Sequence, residues 1–505
     1  MKMKHLAIPA AMAASLALST STALAGKSDD TLTWLSNSEP DNIDMYYNTL
    51  REGLIIGRHV WDALMEIDPK TGKFRPSLAT GYKWIDATTI EFDLRKDVVF
   101  HNGEKFDADD VVFTLNYLAD KKNKVKALSR TKFIAGGEKV SQYKVRAKLK
   151  YPFPAAMQYF ASVVVIYPNE YYGKAGPKGM ATKPVGTGPY KVTEVTYGKR
   201  FVLEKNDKYM KGGPKTPTIG KLVFRRIEER GTQMAELLSG GAEWIWRVPP
   251  DLAKRLDGRK GFQITQGETM RVGFLLMGAS GKAGDHPMTK LKVRQAINYA
   301  IDRDKIRKTL MGEASRIIHA ACFPTQFGCI DKNVKRYNYD PKKAKQLLKE
   351  AGFEKGFTTN FVAYRDRPIA EAIIGQLRRV GIKAKLTYLK AGAYREMRRK
   401  KGIEIALGTW GSSSINDITA IAGNWFQGSS DDQAQDKMVI DLLNQGNTTD
   451  QEVRKKVYAK AFERIADQAY WAPMFSWVYN YAYIDQLDFT PSADEIPRFW
   501  NAKWK

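Results

Sequence analysis

Apolar positions along the chain switch between a helical and a strand-like period. Asp340-Pro341 supplies a cap and a first-turn proline, Ala344, Leu347, Leu348 and Ala351 follow at helical spacing, and Gly352 closes the run. Ala370, Ile373, Ile374 and Leu377 repeat the pattern up to Gly381, after which Ile382, Ala384 and Leu386 alternate as a strand does. Residues 358–363, 368–380 and 382–388 therefore predict a β-α-β unit, with a further strand at 403–407. Val293, Ala296, Ile297, Ala300 and Ile301 mark another amphipathic helix, so 266–484 reads as an α/β domain with helices covering a sheet. The preceding chain is patterned differently. Ile90, Phe92 and Leu94 alternate on one strand and Val145, Ala147 and Leu149 on another; between them Asp107 caps a helix carrying Val111, Val112, Leu115 and Leu118. That part reads as α+β, and dense Gly and Pro at 173–189 predict a crossing between domains.

At 505 residues and 43% hydrophobic, the chain is long enough for several domains with buried cores. A formal net charge of +26 admits nucleic acid, anionic surfaces or acidic small molecules as partners. The first 25 residues narrow that choice. Lys2, Lys4 and His5 precede an apolar run from Leu6 to Leu18, four hydroxyl residues, and then Ala23-Leu24-Ala25. This is the layout of a cleaved signal peptide, and the run is short of the roughly 20 residues a membrane-spanning helix needs. No cysteine follows it to carry a lipid anchor, so the mature chain is expected to start at Gly26 in the periplasm. Export separates it from chromosomal DNA and cellular RNA. No zinc-finger or RRM-type signature is present, nucleic acid is not an expected partner, and the basic run 395–401 reads as solvated helix surface. In an oxidising compartment Cys322 and Cys329 read as one small disulfide loop.

Catalytic patterns fail one by one. Gly186-Thr187-Gly188-Pro189 lacks the Gly-Lys-Ser/Thr ending of a phosphate loop, and Pro189 removes an amide donor. There is no Gly-x-Ser-x-Gly, and Lys70-Thr71-Gly72 precedes Ser129-x-x-Lys132, the wrong order for a penicillin-binding enzyme. Asp107, Asp109 and Asp110 match no EF-hand spacing. The reading is a non-enzyme with no metal set and no cofactor.

Several segments together carry a resemblance. Leu78-Ala-Thr-Gly-Tyr-Lys-Trp84 and the stretch from Ile90 to Val112 contain a Phe-x-Leu-Arg core, a His-x-Gly turn (His101 to Gly103) and an Ala-x-Asp-Val helix start (Ala108 to Val111). Pro184 to Tyr190 contains Gly-Thr-Gly-Pro-Tyr, Val293 to Arg303 contains Arg-x-Ala-x-x-x-Ala-Ile-Asp, and Tyr339-Asp340-Pro341 opens a further helix. In this order they resemble the extracellular solute-binding protein family 5, the solute-binding component of peptide/opine/nickel-type ABC importers. The resemblance implies an α/β, two-lobe periplasmic binding protein fold (type II, cluster C-like) with an inserted α+β subdomain in the first lobe. By that likeness 26–60, 186–265 and 485–505 are expected in the first-lobe core, 61–185 in the insertion and 266–484 in the second lobe. The implied function is capture of a peptide or related polar solute between closing lobes, with delivery to inner-membrane permease subunits and their ATPases, by a monomer. The alternatives are a binding protein for a non-peptide anionic or sugar-like solute (an opine or oligosaccharide) and, further off, an exported enzyme or a basic surface-binding protein.

Peptide-binding relatives have a Trp-x-x-Asp-like segment whose acid receives the peptide's amino terminus. The matching segment here is Trp410-Gly411-Ser412-Ser413, with serine at the acid position, and Asp417 further on either substitutes or caps the following turn. Ends of strands add Asn37 and Glu39, Trp244 and Trp246, Arg271, Tyr364 and Arg365 as cleft candidates. Trp244 is equally a core residue, and Arg271 equally the partner of a hinge acid.

Overall fold

The computed structural model describes residues 26–69 and 71–505; the expected signal peptide lies outside them. A ten-stranded sheet runs through both lobes, and its two central strands, Phe262–Met277 and Trp471–Ile484, pair antiparallel. At one end of the pair, 262–268 faces 478–484. Beyond that pair follow Trp244–Trp246, Thr31–Ser36, Lys221–Arg226, Arg200–Lys205 and Tyr190–Thr196. At the other end 272–276 faces 471–476, and beyond it follow Ile405–Trp410, Phe357–Ala363 and Ile382–Tyr388. The pairing register breaks between Glu268 and Val272 and again between Val272 and Phe274. Such irregularities bend a strand pair, and this one bends where the lobes meet.

The β-α-β unit is present: Phe357–Ala363 and Ile382–Tyr388 are parallel and joined by the helix Arg367–Arg379. The strand expected at 403–407 instead runs Ile405–Trp410. Its pairing with Val272–Met277 carries it on through Gly408, where any Cβ would lie 2.6 Å from the Phe274 ring. Glycine interrupts the apolar alternation there, so the pattern alone stops short. The crossing expected at 173–189 also shrinks, because Asn169–Thr182 is helical with one break at Gly176 (φ 60) ahead of Pro177.

A separate four-stranded antiparallel sheet is formed by Ala79–Asp86, Thr89–Leu94, Lys144–Leu149 and Ile134–Ser141 in spatial order. The helix Ala108–Ala119 packs against it and is capped by Asp107 in a reciprocal box with Asp110. Chain entry and return meet at one crossing. Thr187 donates its hydroxyl to Asp62 (3.1 Å), and the fully buried Lys215 ammonium pairs with the same carboxylate at 2.7 Å. A Cβ at Gly188 would sit 2.5 Å from the His59 carbonyl, and one at Gly186 would collide with the Val60 carbonyl. His101 closes the knot by donating its amide to the Gly186 carbonyl (2.8 Å). The glycines of the Gly-Thr-Gly-Pro segment are thus required by close backbone approach, and Gly188→Ala is expected to destabilise the protein by about 1–3 kcal/mol in denaturant unfolding.

Directly beneath that crossing His59 is buried against Trp500, with ring centroids 4.6 Å apart, and its Nδ1 lies 2.8 Å from the Ile55 carbonyl. Burial, reinforced by the Lys215 and Arg58 charges, pushes its pKa down from 6.5 to about 3. The folded protein therefore refuses a proton that the unfolded chain accepts below 6.5. The stabilisation is complete above pH 6.5 and is lost as pH falls toward 3, at up to about 1.4 kcal/mol per pH unit. Between pH 7 and 4.5, wild type is expected to lose about 2 kcal/mol more unfolding free energy than His59→Phe, measured by denaturant titration at both pH values. Buried acids shifted upward, such as Glu243, are common to both proteins and cancel in the comparison.

Candidate functional site

A cavity of about 650 Å³ lies between residues of the segment 128–159 and residues of the segment 399–458. Leu128, Lys132, Phe133, Phe153 and Tyr159 line one wall; Trp410, Ser413, Thr419, Asn424 and Asn444 are among those lining the other. Trp410 ends its strand half-buried, its ring edge-on to Trp425 with centroids 6.4 Å apart. Gly411 follows because the backbone passes against a buried ion pair: a Cβ would lie 2.5 Å from Glu495 and 3.3 Å from Arg271. Ser412, Ser413 and Ser414 then take φ values of 50, 52 and 68 in succession. A left-handed turn of non-glycine residues costs about 1–2 kcal/mol per residue. Strain of this kind persists only where surroundings hold it, typically at ligand clamps. Here Ser414 donates to the Asp494 carbonyl (2.7 Å) and accepts from Arg51, on the helix Arg51–Val60. Among the described residues the buried Ser412 hydroxyl has no hydrogen-bond partner, and Ser413 faces the cavity.

Arginines gather behind this turn. Arg271 donates two parallel hydrogen bonds to Glu495, both 3.0 Å, and another to Thr409 (3.3 Å). Arg365 reaches the same Thr409 hydroxyl at 3.3 Å, lies over Trp477 at 5.3 Å and bonds Asp366. Arg247 lies over Trp246 at 3.9 Å and Tyr479 at 5.0 Å, with the Glu52 carboxylate 3.7 Å away. Burial pushes the Glu495 carboxyl up, but Arg271, Arg51 and Arg247 outweigh it and hold the group below its ordinary pKa. The Tyr479 hydroxyl is buried without a partner; burial raises it, and Arg271, Arg247 and Arg365 more than offset that. The result is a buried cluster of guanidinium groups, whose planar fork suits a carboxylate.

Other expected residues are distributed differently. Asp417 accepts both Arg454 hydrogen bonds (2.9 and 2.8 Å) and the Thr419 amide (3.0 Å), so it caps the turn and has no carboxylate oxygen left unpaired for an amine. Trp246 is fully buried, its indole N–H donated to Ser36 (3.2 Å), and it presents no accessible surface to the cleft; Trp244 is likewise core. Asn37 accepts from Arg230 (2.8 Å), while Glu39 holds the Gly198 amide (2.8 Å) and Arg226 (3.4 Å). Tyr364 packs on Tyr394 with centroids 4.6 Å apart. Cys322 and Cys329 are joined in a disulfide, Cα atoms 5.7 Å apart, and their loop braces the serine turn through Gln326 to the Ile415 carbonyl (2.9 Å). Arg51, Arg247, Thr409, Tyr479 and Glu495 are additions that the sequence did not single out. They come from distant segments, and Tyr479 sits in a strand whose aromatic run reads simply as core.

Two lobes sharing one sheet, hinged on a strand pair and enclosing a polar cavity, define a periplasmic binding protein. The family model for bacterial extracellular solute-binding proteins, family 5 Middle, matches residues 73–432. The chain belongs to that family, whose members serve ABC importers as binding proteins. The glutathione-binding protein GsiB of Pectobacterium atrosepticum is 28% identical over 409 residues, covering 76% of this chain and 77% of the relative. That of Salmonella paratyphi A is 26% identical over 440 residues, 83% of each chain. Among solved structures, the dipeptide binding protein of Pseudoalteromonas sp. SM9913 in complex with Met-Leu gives a TM-score of 0.80 at 23% identity, covering 94% of this chain and 100% of that one. NikA of Brucella suis in complex with Fe(III)-EDTA gives 0.84 at 21% identity with the same coverage. These structural likenesses establish the fold. Among the described residues no helix is long and apolar enough to cross a membrane, and no group of three or more His, Cys, Asp or Glu side chains could hold a metal ion.

Trp410 supplies the largest flat surface of the second-lobe wall, and stacking or cation–π contact is worth about 0.5–2 kcal/mol. Trp410→Ala is expected to weaken ligand affinity at least tenfold, about 1.4 kcal/mol, with the fold intact. The check is a binding titration beside thermal melting of the unliganded variant. Unchanged affinity with a sharply lower melting temperature would make Trp410 a core residue.

Proposed function

We propose that the chain captures short peptides between its lobes in the periplasm and, as a monomer, delivers them to the inner-membrane permease and ATPase subunits of an ABC importer. In this reading 26–60, 186–265 and 485–505 form the first-lobe core, 61–185 the insertion and 266–484 the second lobe. The lobes swing about the register breaks at 268–274. The observation that carries the proposal is the convergence of Arg247, Arg271 and Arg365 on the unpartnered Tyr479 hydroxyl behind the serine turn. That cluster can take a peptide's terminal carboxylate while Trp410 and Ser413 face the peptide backbone. The ligands for which the relatives are named, glutathione and a dipeptide, support a peptide over an opine or sugar. Because serine replaces the amine-binding acid and Asp417 is committed to Arg454, the carboxylate end is the stronger anchor.

Calorimetric titration with glutathione and a dipeptide panel, beside small-angle scattering, is expected to give saturable binding with compaction of the protein. Amidating the carboxyl terminus of the best peptide should weaken it at least tenfold, and Arg365→Met should erase that difference. Absence of saturable binding to every peptide, or turnover in place of retention, would overturn the proposal.

A further inference from the structure

Large apolar side chains left open to solvent are few among the described residues, and two of them line one cavity: Leu128 is 59% exposed and Tyr151 is 37% exposed. Exposed apolar surface inside a concavity marks a place where an apolar group binds. Both residues belong to the wall built from the segment 128–159. The chain at Tyr151 reads Tyr151-Pro152-Phe153-Pro154, with each aromatic directly before a proline. A proline fixes its own φ and disfavours helical backbone in the residue before it. The segment therefore gives up little conformational freedom when a ligand settles on it. Its start is tied down by the Lys150 amide, which donates to the Phe133 carbonyl (2.8 Å). Three rings brace one another here: the Phe153 centroid lies 4.7 Å from that of Phe133 and 5.3 Å from that of Tyr159, and the latter two lie 5.2 Å apart. Phe133 and Tyr159 are buried and Phe153 half-buried, while Tyr151, 6.0 Å from Phe153, is the exposed end of the cluster.

Trp410 lines the same cavity from the segment 399–458. Rings on both walls offer faces and edges to a flat guest, and aromatic pairs contribute beyond the area they bury. At about 650 Å³ the cavity falls in the range of small-ligand sites, with room for a dipeptide that carries a bulky side chain. We infer that Leu128, Tyr151, Phe153 and Trp410 form a side-chain subsite, and that the favoured ligands are short peptides bearing an aromatic residue. The inference rests on the reading of this cavity as a peptide site and adds to it which side chain is selected. An aliphatic side chain of equal size would cover the same apolar surface. It would lose the ring-to-ring contacts, so the subsite separates shape and aromaticity from mere bulk.

The test is calorimetric titration with Ala-Ala, Ala-Phe, Phe-Ala and the saturated-ring analogues in which cyclohexylalanine replaces phenylalanine, beside glutathione. The proteins are wild type, Tyr151→Ala, the double variant Leu128→Ser/Tyr151→Ala, and Ile85→Ser, a control at another exposed apolar residue that lies outside the cavity. Wild type is expected to bind the better phenylalanine peptide about tenfold more tightly than Ala-Ala. It should bind that peptide about threefold more tightly than its cyclohexyl analogue. Tyr151→Ala should remove the preference over the cyclohexyl analogue, and the double variant should bring the preference over Ala-Ala below about threefold. Ile85→Ser should keep both preferences. Unliganded Tyr151→Ala should melt with wild type, because the side chain it removes is exposed. Equal affinity of wild type across the dipeptides, binding confined to glutathione, or preferences that survive in the double variant overturn the inference and leave the peptide reading standing. An equal loss for every peptide together with a lower unliganded melting temperature makes Tyr151 a structural residue and also overturns it. Failure of every peptide to bind wild type overturns the peptide reading and this inference with it.

Discussion

Every backbone hydrogen bond that ties the two halves of the large sheet together passes through one strand pair, Phe262–Met277 with Trp471–Ile484. A ladder that also serves as a hinge faces a conflict. Bending it breaks the register, and a broken register leaves buried donors and acceptors that must still be satisfied. Side chains resolve the conflict at the bend. Thr269 donates its hydroxyl to the Trp477 carbonyl (2.8 Å), and Ser476 donates to the Glu268 carboxylate (2.6 Å), which Arg316 also holds. Gly273 lets the Trp477 ring lie where a Cβ would come within 2.7 Å of it. The two lobes can therefore share a sheet without being one rigid slab.

The cleft inherits its chemistry from that bend. Arg271 leaves the hinge strand at the register break and is neutralised by Glu495, on a C-terminal segment that bonds back to the strand through the Met270 amide and the Ala493 carbonyl (2.8 Å). Gly411 is small because this ion pair presses on its backbone, and the serine turn that follows is held in a left-handed path by Arg51 and Asp494 from the other lobe. Strain, charge and hinge thus meet within a few residues.

Local patterns in the chain determined a good deal. Asp340-Pro341 to Glu350, Arg367–Arg379 and Ile382–Tyr388 form as their periodicity requires, since a cap, a helical apolar stripe and strict alternation each act over a few residues. The Gly-Thr-Gly-Pro and His-x-Gly segments could be recognised in the linear chain, although their reason, a crossing where the backbones touch, exists only once both are folded together. Trp410 and the serines after it were legible as an aromatic at a strand end followed by small residues. Tertiary structure alone decided the rest. Asp417 and Trp246 are taken up by Arg454 and Ser36, partners 37 and 210 residues away. Arg51, Arg247 and Glu495 carry no local signal, because the meaning of a charged side chain depends on burial and on which opposite charge faces it. Those are properties of long-range packing, not of neighbours in sequence.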